Sequence, residues 1–183
     1  APLARGPGPR HSLARGGDGV LITVGLSAEV AAARARVWKA LADPDELARW
    51  RPGLRAVPGP GPWPCEGATL LSRARIHGLP LEVSETAVEA AAGERLHVRL
   101  RVGLFRCEAT FSLASLAAER TRVGLQLQVA NELPLVGGTL DRFSVRRIAT
   151  ELAAARLAAL REACEVGAPA SAAGAESLPT PAR

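Results

Sequence analysis

The stretch RLHVRLRVGLFRCEATFSLASLAAERTRVGLQLQVA, residues 95–130, decides the architecture. Its opening residues alternate strictly, with Leu96, Val98, Leu100 and Val102 on one face and Arg95, His97, Arg99 and Arg101 on the other. Successive side chains of a strand point to opposite sides of the sheet, so this segment is a strand with one dry and one wet face. FRCEATFSL (105–113) repeats the pattern with Phe105, Cys107, Ala109, Phe111 and Leu113 inward. RVGLQLQVA (122–130) does so again with Val123, Leu125, Leu127 and Val129. Three consecutive strands of this kind predict an antiparallel sheet covered on one side only.

Upstream, ATLLSRARIH (68–77), the turn GLP (78–80), LEVSETAVEA (81–90) and the turn AAGE (91–94) extend the sheet. The facing of strand 80–90 stays open, because AAGE fixes the hairpin register poorly. One register turns Glu82, Ser84 and Thr86 inward, the other Val83, Glu85 and Ala87, and a one-residue slip flips the whole set. In either case a carboxylate approaches the mouth of the interior or pairs with an arginine on the outer face, and the outer pairing is the expectation. Further upstream, VLITVGLSAEV (20–30) is an apolar strand and AAARARVWKALA (31–42) a helix offering Val37, Trp38 and Leu41 to the core. DPDELARW (43–50) starts a second helix, with Asp43 as N-cap, Pro44 at the first position and Glu46 placed to close a capping box. The Pro/Gly-rich PGPGPWPCEG (58–67) is either a mobile lid or a surface crossover.

The cover for the dry face comes downstream. Residues 140–164 lack Gly and Pro, and Val145, Ile148, Leu152, Ala155, Ala159 and Ala163 recur at helical spacing. Thr139 is the expected N-cap, and Gly167 lies past the end. The predicted fold is α+β, a helix-grip: a curved antiparallel sheet of six to seven strands, two short helices after the first strand, and a long C-terminal helix over the concave face. Alanines along that helix keep it slim, which either leaves a cavity beneath it or permits a close approach over a solid core.

Charge and composition narrow the function classes. The chain has 183 residues with 23 basic and 18 acidic side chains, a formal net charge of +5, and every basic residue except Lys39 is arginine. The arginines at 73, 75, 95, 99, 101, 106 and 122 line the wet face without interleaved aromatics, so a solvated surface is expected and no nucleic acid. Cys65, Cys107 and Cys164 lie far apart, which argues against disulfides and zinc and for a reducing compartment. No segment has the apolar length of a membrane span, and a cytoplasmic monomer or homodimer is the expectation. Residues 1–18 and 166–183, rich in Gly, Pro, Ala and Ser, are expected to be disordered tails around one domain, 19–165.

The run ARARVWKALADPDELARWRPGL (33–54), with Val37-Trp38, Asp43-Pro44, Trp50 and Pro52-Gly53, resembles the opening of the polyketide cyclase/dehydrase and lipid-transport family of the START-like (SRPBCC) superfamily. The strand at Thr121 and the closing LDRFSVRRIATELAAARLAALRE (140–162) are similar to the family's last strand and helix. The resemblance implies the helix-grip scaffold and an apolar ligand such as a lipid, quinone or polyketide-like aromatic. It covers nearly all of 20–164 and specifies the scaffold far more than the chemistry, since members include carriers, aromatase/cyclases and quinone-binding proteins.

On that scaffold the cavity is expected to be lined from the sheet by Val98, Leu100, Phe105, Cys107, Ala109, Phe111, Leu125 and Leu127. Trp38, Trp50 and Leu54 would line it from the opening segment, and Phe143, Ile148 and Leu152 from the long helix. No catalytic residue, metal ligand or cofactor is expected. His11, His77 and His97 read as surface residues, tyrosine is absent, and no triad or phosphate loop occurs. Three readings remain: a carrier of an apolar small molecule, an aromatase/cyclase using the same cavity, and an interaction protein acting through the basic sheet face.

Overall fold

The computed structural model describes residues 20–51, 53–76, 79–102, 105–131 and 142–166. The expected tails, the Thr139 cap and the Gly167 stop lie outside these residues.

Seven strands form one antiparallel sheet: β1 (Val20–Val30), β2 (Arg55–Val57), β3 (Thr69–Ile76), β4 (Leu79–Ala91), β5 (Arg95–Val102), β6 (Phe105–Ala117) and β7 (Arg120–Asn131). Their order across the sheet is β1-β7-β6-β5-β4-β3-β2, so consecutive strands are neighbours except where β1 crosses to pair with β7. The helices are α1 (Arg34–Ala42), α2 (Pro44–Trp50) and α3 (Arg142–Glu165). The alternation read from 95–130 holds: Leu96, Val98, Leu100, Val102, Cys107, Ala109, Phe111, Leu113, Val123, Leu125, Leu127 and Val129 are all buried on the concave side.

The hairpin β4–β5 settles the facing that the turn left open. Counted back from Ala91↔Arg95 without interruption, its register would bring Thr86, Ser84 and Glu82 inward. A β-bulge between Ala87 and Glu89 shifts it by one, pairing Ala87 with Val98, Glu85 with Leu100 and Val83 with Val102. Val83, Glu85 and Ala87 are therefore the buried set.

Asp43 caps α2 as expected, its carboxylate accepting from the Asp45 N–H at 2.9 Å. The capping box does not form, because the Asp43 N–H already donates to the Lys39 carbonyl at the end of α1. Glu46 instead turns into the α1–α2 corner and pairs with Arg36 at 2.9 Å and Arg49 at 3.2 Å. The segment 58–67 is a crossover anchored to the core. Trp63 is buried, and its indole N–H donates to the Leu41 carbonyl at 3.0 Å. The segment's end is tied to β4: the Gly67 N–H donates to the Ala87 carbonyl and the Ala87 N–H to the Ala68 carbonyl, both at 2.9 Å.

α3 lies across β1 and β7 and touches α1 and α2. Its buried stripe is Val145, Ala149, Ala153, Leu157, Leu160 and Cys164. The sequence spacing had selected Ala155, Ala159 and Ala163, but Ala155 is exposed and the other two are half-buried. Both stripes satisfy the period of a helix; Leu157 and Leu160, with more area to bury than alanines, set the rotation. Alanine still occupies the middle of the stripe, at 149 and 153, so the helix remains slim over the sheet.

Candidate functional site

Between the first turns of α3 and the sheet lies a cavity of about 90 Å³. Its floor is Val102, Phe105, Cys107, Leu127 and Val129, its side Leu81, and its roof Val145, Ile148, Ala149 and Leu152. The strand pairs Val102↔Phe105 and Cys107↔Val129 place these floor residues side by side. No polar atom contributes to the lining, and such an apolar void holds hydrocarbon more readily than water. Ala149, a small residue, sits in the roof above that floor.

The expected lining divides into four. Phe105, Cys107, Leu127, Ile148 and Leu152 line the cavity. Val98, Leu100, Ala109, Phe111 and Leu125 share the same concave face but are sealed in the solid part of the core. Trp38, Trp50 and Leu54 pack against the core from the edge; Trp50 lines a separate surface cleft between α1, α2 and the end of α3. Phe143 is 84% exposed, two residues before Val145 and off the stripe that faces the sheet. Leu81, Val102, Val129, Val145 and Ala149 are lining residues that the set of expected positions lacked. For Val102 and Val129 the alternation of their strands carried the signal.

The expected pairing of the β4 carboxylate with an outer arginine does not occur at Glu85. Its side chain is 1% exposed and lies between two guanidinium groups. Arg51, from the corner after α2, reaches Glu85 Oε2 at 2.6 Å, and Arg156 of α3 pairs with Oε1. Burial alone would push this carboxyl up, but the charges of Arg156 and Arg51 and their hydrogen bonds outweigh it and bring it to about 2. Burial acts in the opposite sense on Arg51 and lowers its pKa. Arg51 also stacks on Trp50, 4.5 Å above the ring. Arg51 Nε and Arg156 Nη1 are buried and have no hydrogen-bond partner. Glu82, by contrast, does pair outside, with Arg55 at 3.0 Å.

The interior also holds two thiols. Burial raises Cys107 and Cys164 to about 11, so both stay protonated near neutrality. Among the described residues there is no group of three or more His, Cys, Asp or Glu side chains arranged to hold a metal. On the outer face Arg95 pairs with Glu89, Arg122 with Glu29 at 3.3 Å, and His97 approaches Glu108 at 3.4 Å. Among the described residues, no helix is long and apolar enough to cross a membrane.

A seven-stranded antiparallel sheet gripped by a C-terminal helix over an apolar void defines the START-like, helix-grip class. Solved structures share it. A START superfamily protein from Mycobacterium smegmatis superposes with a TM-score of 0.64 at 21% identity, over 79% of this chain and 97% of that one. A protein from Thermus thermophilus gives 0.65 at 23%, over 81% and 100%. The Zhui aromatase/cyclase from a Streptomyces species gives 0.63 at 19%, over 80% and 94%. At these identities the likeness is one of fold. Residues 22–165 match the model of the family described as polyketide cyclase / dehydrase and lipid transport, and the chain belongs to that family. No curated protein matches the chain.

Proposed function

We propose that the protein binds an apolar small molecule, a lipid, quinone or polyketide-like aromatic, between its sheet and α3. The observation that carries this reading is the cavity lined by ten residues without a polar atom. Burying apolar ligand surface there is favourable at roughly 25 cal/mol per Å², with no buried hydrogen bond to satisfy. At about 90 Å³ the cavity takes a ring or a short chain segment as it stands. Longer ligands require side chains such as Phe105 or Leu152 to turn aside. The ligand is bound without a metal or cofactor, by a single domain spanning 19–165 that acts in the cytoplasm.

Binding without turnover is favoured over cyclisation by the chemistry of the lining. An acid/base step needs a group that takes and returns a proton near neutral pH. Cys107 is held at about 11, and the buried Glu85 at about 2 is locked between arginines. Native mass spectrometry of protein purified from its source organism tests the reading. The expected result is a co-purifying apolar molecule that an Ala149→Leu variant, with the void filled, no longer carries. A ligand-free mass, together with no calorimetric binding of decan-1-ol, would overturn it.

A further inference from the structure

The charged cluster and the apolar cavity are neighbours in the grip. Leu152 lines the cavity, and Arg156 follows it one helical turn later on the same side of α3. The charge of Arg156 acts on Cys107, itself a lining residue. On the sheet, Glu85 pairs with Leu100 and Leu100 with Cys107, so the carboxylate and the cavity floor belong to one cross-strand row. The inward positions of β4 run from Leu81, at the cavity side, through Val83 to Glu85. Hydrocarbon therefore gives way to charge within a short span along both helix and strand.

The cluster is not balanced. Two guanidinium groups face one carboxylate, leaving 2 − 1 = +1 in a buried place, with Arg51 6% and Arg156 11% exposed. Two of its N–H-bearing atoms, Arg51 Nε and Arg156 Nη1, are buried without an acceptor. Buried donors are almost always satisfied, and an uncompensated buried charge is unfavourable until an anion or water meets it. A single carboxylate supplies both the acceptor and the missing charge, whereas a phosphate dianion would overshoot it.

We infer that the ligand is an apolar molecule ending in a carboxylate, its hydrocarbon in the cavity and its head group carried past Leu152 to Arg156, whose buried Nη1 has no acceptor. This rests on the binding reading above and adds the head group to it. Decanoate and decan-1-ol, the same chain with and without the charge, separate the two ideas in calorimetry on the full-length protein. Decanoate is expected to bind at least about tenfold tighter than the alcohol, the worth of one charge-assisted hydrogen bond. Arg156→Met, which leaves the Arg51–Glu85 pair, should cost decanoate about tenfold and change the alcohol by less than about twofold. Ala149→Leu should abolish both, which separates cavity binding from adsorption to the arginine-rich outer face. Equal affinity of the two ligands for the wild-type protein overturns the head-group assignment while leaving apolar binding intact. So does a decanoate advantage undiminished in a folded R156M. Binding of neither ligand overturns both readings. Should R156M fail to fold, the wild-type ratio together with Ala149→Leu decides.

Discussion

The two halves of α3 sit on the same sheet face and meet opposite environments. Over its first turns, Val145, Ile148, Ala149 and Leu152 roof a void without polar atoms. From Ala153 onward the helix is packed hard: Ala153, Leu157, Leu160 and Cys164 are buried, and Arg156 is tied to Glu85. The stripe period is the same throughout, so the difference comes from which side chains the sheet presents below. The contrast teaches that a grip fold can keep an apolar void open by concentrating tight packing and electrostatics at the other end.

The most damaging way to break the contrast is to unbalance the ion cluster. Glu85→Gln leaves two buried arginines without a counter-charge and should cost about 3–5 kcal/mol by urea denaturation. Replacing all three members with apolar residues of similar volume should restore most of that stability. Acid probes the same end without mutation. The Glu85 carboxyl lies at about 2 in the folded protein against an ordinary 4.5. A depressed folded pKa gives stability that is fully present above 4.5 and is lost as pH falls from there through about 2. Between about pH 5 and about pH 2.5 the loss should be about 2 kcal/mol and be absent from Glu85→Gln, a comparison that urea denaturation at the two pH values makes directly.

Two matched substitutions sharpen the contrast between void and packed core. Ala153→Leu forces extra carbons into the tight half and should destabilise by about 1–3 kcal/mol. Ala149→Leu, one turn earlier, fills the cavity and should stabilise by about 0.5–2 kcal/mol while abolishing ligand binding. Thermal denaturation of the two variants side by side reads the difference. The smallest effect belongs outside the grip: Arg122→Ala removes an exposed pair with Glu29 and should change stability by less than about 0.5 kcal/mol.

The sheet was legible because alternation is a strong signal, and β5, β6 and β7 show it without interruption. The helices α1 and α2 were marked by Asp43 and Pro44. What could not be read depended on partners distant in sequence. The rotation of α3 was ambiguous because alanine occurs on several of its faces, and only contact with β1 and β7 selects one. Phe143 read as a lining residue from its apolar character, but it lies two residues, about 200° of helical rotation, from the buried Val145, and its ring stays in solvent. Glu85 was one of two candidates for the inward set, and no residue between 80 and 94 announces a bulge. Its partners Arg51 and Arg156, separated by more than half the chain, carried no local sign of meeting. About half of the cavity lining was anticipated, chiefly the sheet positions, since a void is set by the gaps between elements and not by any one of them.

The bulge at Val88 has a reach well beyond its own strand. It lies near the tip of the β4–β5 hairpin, away from the cavity, yet it decides which side of β4 the interior sees. Adding one residue there, with a one-residue bulge kept, would exchange Val83, Glu85 and Ala87 for Glu82, Ser84 and Thr86, whereas removing Val88 would abolish the bulge and leave the inward set in place. The grip's interior chemistry is thus adjustable by length as well as by substitution. Relatives that differ by a single insertion in this hairpin would turn hydroxyls into the interior where this chain holds a clamped anion.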